Sequence, residues 1–394
     1  MEINPKINEL PKFSPWNSSE NSVTINSIRY NQDLSLLILA TSRGYKIFSS
    51  ETYKSIGEHN NAIEKLGDIH IADSYYSSCL VFLLPSKFNK DYQNNELIIF
   101  DDYFQKKIGN IKLKKEEINN FFISKYNIFI ITIRNIMVLE LYSLRIIEII
   151  EDIAYNDKII SVNQFNYLGY SKNEDRKTIY IDFFKNENNK IIARKRQKII
   201  TNFDFIQVIQ FSPSGEQIAI VSIYGNKVHI YDSNTGKLKN CFFLGPKIQT
   251  IEKIFFSEKK PNYLLFIRND KKFNIYKIGK NKDKPQLQKC ICNIDNDQDL
   301  LSRLCEIDKK NEGLSKPRSL SKNKNIREPH VYSDLEERLL FGDFDRNKHK
   351  DLLFINKQGK LIKYHFNKKR NGKIMPVAPA ISVRLWSFRC VSSR

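Results

Sequence analysis

The residues best spaced for metal chemistry lie between Gly342 and Asp351. Asp343, Asp345, Asn347 and Asp351 carry the oxygen ligands that a calcium loop uses. Such a loop also needs a glycine at its sharp turn. None falls there, and Arg346, Lys348 and Lys350 sit among the acids. A charged turn before a strand is expected instead. Cys290 and Cys292, with Cys305 and His330, offer donors that zinc accepts, but their spacing matches no common zinc site. No metal and no cofactor is expected. The six histidines, His59, His70, His229, His330, His349 and His365, stand in no catalytic phrase. Neither a Walker loop nor a glycine-rich dinucleotide fingerprint occurs. The expectation is a binding protein and not an enzyme.

Charge is the next chemical resource. With 64 Lys and Arg against 44 Asp and Glu, the formal charge is +20. An excess of this size favours phosphorylated lipids, nucleic acid or acidic proteins without choosing among them. Part of the lysine count follows a general richness in Lys and Asn. Nucleic acid ranks last, because no basic stripe is interleaved with aromatics that would stack bases. One stretch concentrates the charge: residues 309–327 hold seven basic side chains, Lys309, Lys310, Lys316, Arg318, Lys322, Lys324 and Arg327, against the single acid Glu312. It has no aromatic residue and reads as a mobile basic loop. Asp297 to Ile307, just before it, is expected to form a short amphipathic helix with Leu300, Leu301, Leu304 and Ile307 on one side. The six cysteines share no framework spacing, which points to a reducing compartment. The opening MEINPKINEL has no apolar h-region, so no signal peptide is expected. Runs such as Leu36 to Ala40 are too short to span a bilayer, so membrane contact is expected to be peripheral.

The elements that must position these residues are strands. Apolar content is 41%, and Ile, Tyr and Phe, which suit pleated half-buried surfaces, dominate it. Paired strand-like runs recur at Ser35 to Ser50, Cys79 to Tyr103, Tyr126 to Leu141, around 164–184, Val208 to Leu238, Lys253 to Ile278 and Leu352 to Phe366. Their spacing of roughly 40 to 50 residues, wider before the last, is that of four-stranded propeller blades. Alternation of apolar and polar residues is expected to give each unit a face for its neighbour. Ser42-Arg43-Gly44 and Tyr224-Gly225-Asn226 supply turns with a glycine where positive φ is needed. An all-β sandwich is the competing architecture. Seven similar units favour a seven-bladed, WD-repeat-like β-propeller.

Read in order, several phrases resemble one family. Gly44-Tyr45-Lys46-Ile47-Phe48 after its strand and turn, Asn94 to Ile111 with the paired acids Asp101 and Asp102, Ser212 to Leu238, and Gln358 to Lys373 resemble the blades of the PROPPINs, the phosphoinositide-binding propellers of autophagy. The resemblance covers most of residues 21–373. It implies a non-enzymatic adaptor, surfaces on blades two and three that bind autophagy proteins, a monomer, and a cytoplasmic place beside autophagic or endosomal membranes. Residues 1–20 then form an extension, 279–329 a basic loop of blade six where the family touches the membrane, and 374–394 a tail.

The family's paired arginines, each serving one phosphoinositide headgroup site, do not carry over. The matching tetrapeptide is Phe242-Phe243-Leu244-Gly245, so both arginine positions are apolar. A guanidinium offers phosphate a bidentate fork that no apolar side chain replaces. The basic position of the fifth-blade strand matches His229, and the sixth-blade histidine matches Asn274; Ser222 completes the matched set. Removing one partner of a desolvated charge pair costs about 2–5 kcal/mol, so recognition of phosphatidylinositol 3-phosphate is expected to be weakened or lost unless other cations substitute. Lys227, Lys237, Lys239, Lys247, Arg268, Lys271 and Lys272 are the candidates. The alternative is a WD-repeat scaffold without lipid recognition, in which Phe243 and Leu244 pack between blades five and six.

Overall fold

Strand after strand in this chain pairs with the next by a short turn, and the pairing resets after every third or fourth strand. The computed structural model describes residues 23–384 apart from 57–65, 188–189, 245–247, 249, 258–262, 270–272, 279–289, 295–338, 345–350, 357–359, 368–374 and 378–382. The first sheet holds β1 (Ile25–Tyr30), β2 (Leu36–Thr41) and β3 (Gly44–Ser49). The second holds β4 (Ile69–Ser74), β5 (Leu80–Pro85), β6 (Glu96–Asp101) and β7 (Lys106–Lys112). The third holds β8 (Asn120–Ile123), β9 (Asn127–Ile131), β10 (Ile136–Glu140) and β11 (Ile146–Ile150). The fourth holds β12 (Ser161–Val162), β13 (Tyr167–Tyr170), β14 (Thr178–Glu187) and β15 (Lys190–Ile200). The fifth holds β16 (Ile206–Phe211), β17 (Gln217–Ser222), β18 (Lys227–Asp232) and β19 (Leu238–Phe243). The sixth holds β20 (Ile251–Phe256), β21 (Tyr263–Arg268), β22 (Phe273–Lys277) and β23 (Cys290–Ile294). The seventh holds β24 (Leu339–Phe344), β25 (Asp351–Asn356), β26 (Lys360–Asn367), β27 (Met375–Val377) and β28 (Val383–Arg384).

These seven sheets are the blades of a propeller. Innermost strands of neighbouring blades touch, β1 with β4, β4 with β8, β12 with β16, β16 with β20 and β20 with β24, and β1 against β24 closes the ring. In five blades the same register shift interrupts the pairing of the first two strands, at Ile25/Ser27, Ile69/Ile71, Ile206/Val208, Ile251/Lys253 and Leu339/Phe341. A bulge sharpens strand twist, so its repetition gives successive blades the same internal shape. Gly44 and Gly225, at φ 97° and 63°, take the left-handed turns expected of them.

The core lies between blades. Leu37 and Leu39 of β2 face one cluster, while Ile38 and Ala40 face the next. Both faces of the second strand are therefore buried, and β2, β5, β9 and β17 are apolar almost throughout. The expected alternation gives way to continuous apolar runs here because each blade is sandwiched on both sides. Outermost strands such as β7 are largely exposed and carry Lys, Gly and Asn around their two isoleucines.

Two expectations change. Residues 279–329 were expected to hold no strand, yet β23 lies within them, paired with β22. The basic stretch 309–327 therefore belongs to the crossing from β23 to β24, and not to the β22–β23 connection. Likewise β27 and β28, within the expected tail 374–394, pair with β26. Both strands are short and lack an alternating apolar pattern, so an inner neighbour and not their own sequence defines them. The expected helix at 297–307 and the side chains of 309–327 fall outside the described residues, as does most of the acid-rich turn at 343–351.

The end of the fifth blade as candidate functional site

Successive antiparallel strands divide each blade into two rims. One rim carries the first and third turns. The other, here called the crossing rim, carries the second turn and the chain passing to the next blade. Of the matched family positions, Ser222, Phe243 and Leu244 gather at the crossing rim of blade five, while His229 lies within β18 and Asn274 on β22 of blade six. Ser222 ends β17, and its Oγ lies 3.1 Å from Asn226 Oδ1 and accepts the Lys227 N–H at 3.3 Å. That closes the tight turn from Ser222 to Lys227. Across it, the Leu244 N–H donates to Asn226 O at 2.8 Å, which anchors the end of β19.

Strand alternation then sorts the tetrapeptide. Phe242 is fully buried and meets Tyr276 edge-on at 5.7 Å. Leu244, 9% exposed, joins it in the cluster between blades five and six, with Val228, Ile230, Ile251 and Phe266. Phe243 points the other way and is 43% exposed, opposite Lys227 in register. Positions 243 and 244 thus serve opposite sides of the blade, as two separate headgroup sites would require, but neither carries a cation. The packing expectation holds for Leu244 and fails for Phe243.

His229 supplies no charge either. Its ring lies 4.4 Å from Phe203, and Nδ1 is 3.1 Å from the Tyr231 hydroxyl. Burial, with help from Lys227, pushes the imidazole below its ordinary pKa, so it is neutral at physiological pH. Asn274 lies in β22, paired with Phe266 and Asn293.

Geometry divides the candidate substitute cations. Lys227 is exposed at the crossing rim, and Arg268 ends β21 at the same rim, half-buried. Lys237 and Lys239 lie at the opposite rim, beside the β18–β19 turn, and Lys239 is paired with Asp232 at 2.7 Å. They cannot reach a ligand at Phe243. Gly245, Lys247, Lys271 and Lys272 fall outside the described residues.

Two polar clusters were not foreseen. In blade four, the buried Asp182 accepts from Arg194, from Arg196 Nε at 2.7 Å and from the Tyr170 hydroxyl at 3.1 Å. Arg194 also reaches Glu148 of blade three at 2.6 Å, so it rivets two blades together. The inner strands surround a channel of about 640 Å³. In it Arg29 donates to Phe121 O and Asn120 Oδ1, both at 2.5 Å, and lies over the Phe122 ring at 5.0 Å. Burial pushes the nearby Asp73 carboxyl up to about 7, against the pull of Arg29. Only a charged residue inside an otherwise apolar strand phrase, as in Asn26 to Tyr30 or Thr178 to Phe184, hinted at either cluster.

No protein-family model and no curated protein matches the sequence. Solved structures do match. The chain resembles Hsv2 of Kluyveromyces lactis at a TM-score of 0.64 and 14% identity, over 90% of this chain and 96% of that one. Against Hsv2 of Kluyvelomyces marxianus the values are 0.62 and 14%, over 89% and 94%. KlAtg21, solved in complex with the coiled-coil of AgAtg16, matches at 0.53 and 11%, over 90% and 98%. At these identities the likeness is one of fold, and it extends over the whole propeller.

Proposed function

We propose that this chain is a divergent PROPPIN-type propeller: a non-enzymatic adaptor, monomeric and cytoplasmic, that works at the surface of autophagic or endosomal membranes and holds autophagy proteins. The observation that carries the reading is the joint one. The blades follow those of Hsv2, a PROPPIN, over nearly the full length, and the family phrases occur in the same order along the sequence. Its recognition of phosphatidylinositol 3-phosphate is weakened or lost, because the two arginine positions are Phe243 and Leu244 and the adjoining His229 is neutral. For protein partners, blades two and three offer an exposed apolar surface in Ile108, Tyr142, Ile146 and Ile149. The coiled-coil bound by KlAtg21 suggests the partner class.

The same apolar positions favour a second reading, a propeller scaffold with no lipid recognition. Flotation with vesicles matched in charge, with and without phosphatidylinositol 3-phosphate, separates them. The first reading expects a preference of only a few-fold. A preference above about a hundredfold, some 2.7 kcal/mol, would show that headgroup recognition is intact and overturn the claim of its loss. Equal binding to all anionic vesicles, abolished by moderate salt, leaves the scaffold.

A further inference from the structure

Asp73 lines the central channel and is only 5% exposed, yet its Oδ1 accepts no hydrogen bond among the described residues. A buried carboxylate oxygen in that state calls for a donor. The nearest cation does not serve it. Arg29, on the neighbouring blade, sends its hydrogen bonds to Phe121 O and Asn120 Oδ1 of blade three and lies over the Phe122 ring.

Strand register shows what surrounds this carboxylate. Arg29, Asp73, Phe122, Ser161, Gln210 and Phe255 pair with Ile38, Phe82, Phe129, Gly169, Ala219 and Leu265. Each partner is the third residue of its blade's second strand, so the six lie at one height, and all six line the channel. Asp343 holds the same register position in blade seven, opposite Leu353. The ring therefore counts two acids against one arginine, and that arginine is engaged with blade three. Toward the crossing rim the lining charges balance, Lys158 and Lys253 against Asp157 and Glu252. Toward the opposite rim the lining carries the amides Asn31, Gln32, Asn163 and Gln164, and no charged side chain among the described residues.

We propose that this ring is a binding site for an organic cation, a primary ammonium or a guanidinium, which enters through the uncharged mouth and donates to Asp73. The site lies on the propeller axis and does not depend on the lipid reading of blade five. A charge-assisted bond to a carboxylate is among the stronger hydrogen bonds, and Phe255 adds an aromatic wall that a cation tolerates. An anion would meet acids at two positions of the ring, and an apolar guest would leave Asp73 without its donor. A channel of about 640 Å³ admits the carbon body of such a cation. Burial holds the free carboxyl high, and a bound cation favours its charged form. The cation can be a free amine or the side chain of an arginine or lysine on another protein.

The test titrates the full chain by calorimetry with butylguanidinium and with the blocked tripeptide acetyl-Ala-Arg-Ala-amide. The same tripeptide with citrulline in place of arginine is the uncharged control. At least one of the two cations is expected to bind, and the citrulline peptide to bind at least tenfold more weakly than the arginine peptide. Asp73→Asn is expected to lose at least tenfold in affinity with a melting temperature no lower than that of wild type. Gln164→Lys, which places a cation at the mouth and leaves Asp73 untouched, is expected to weaken binding several-fold. Tighter binding of the arginine tripeptide than of butylguanidinium assigns the site to a protein side chain, and the reverse order to a small amine. No binding of either cation, equal binding of the citrulline peptide, or full affinity in either variant overturns the proposal.

Discussion

Placing arginine at each of the two motif positions in turn should have opposite structural consequences. Leu244 is 9% exposed and lies in the apolar cluster between blades five and six, whereas Phe243 is 43% exposed beside Lys227. Full burial of a leucine contributes about 1.5–3 kcal/mol. Leu244→Arg forfeits that and cannot leave a guanidinium unpaired among Val228, Ile251 and Phe266, so its side chain must swing out and open a void. A loss of about 2–4 kcal/mol is expected. Phe243, already 43% exposed, can be replaced by an arginine that keeps its head in water and lays its stem over part of the covered surface, so Phe243→Arg should cost no more than about 1 kcal/mol. Chemical denaturation, with the midpoint and slope of each variant compared, reads both. In vesicle binding, Phe243→Arg should gain a preference for phosphatidylinositol 3-phosphate of roughly tenfold, the worth of one charge-assisted hydrogen bond. Leu244→Arg should gain less, because part of its interaction energy is spent on repacking. Equal stability loss in the two variants would refute the two-sided placement of 243 and 244.

Two other perturbations probe the unforeseen polar clusters. Asp182→Asn should destabilise by about 3–5 kcal/mol, since it leaves Arg194 and Arg196 without their shared buried anion. Glu148→Gln, on the exposed side of the same network, should cost no more than about 1 kcal/mol, and denaturation midpoints of the two variants give the contrast. Asp73 sets a pH dependence of definite sign. Its folded pKa of about 7 lies above the ordinary carboxylate value, so the folded chain holds the proton longer and stability falls as pH rises from about 4 to 7. Asp73→Asn should therefore gain on wild type across that window by up to a few kcal/mol and keep a constant lead above it. Parallel melting curves at pH 5 and pH 8 with no change in the difference would remove Asp73 as the source.

The propeller was legible because a strand buried on both faces must be apolar throughout. Runs such as Leu36 to Ala40 and Asn127 to Ile131 announce themselves between turns, and their recurrence counts the blades. The fourth blade was fainter for a physical reason. Its hairpin β14–β15 carries Asp182, Arg194 and Arg196, and such charges look like solvent-facing residues until three strands bring them together. The strand β23 and the closing strands β27 and β28 were not legible, because outermost strands bury little and need little apolar pattern. At the site, the motif positions were found from the family phrases, but burial was not. Nothing in Phe242-Phe243-Leu244 says which phenylalanine faces in; the pairing Lys227↔Phe243 and the anchor at Asn226 decide it.

That geometry also sets what the replacement of the arginines can mean. A headgroup site is a directional device: it needs fixed donors at hydrogen-bond distance and discriminates among phosphates. An apolar rim is nondirectional and scales with the area it buries, and the surrounding lysines add attraction that salt removes. Because 243 and 244 lie on opposite sides of the sheet, the two apolar side chains at the positions matched to the family's arginines do not form one site. On one side Leu244 seals the seam between blades five and six. On the other Phe243 joins the exposed Tyr224 and Ile223 at the rim. On the function proposed above, recognition of phosphatidylinositol 3-phosphate is weakened, and specificity of location would come from proteins held on blades two and three.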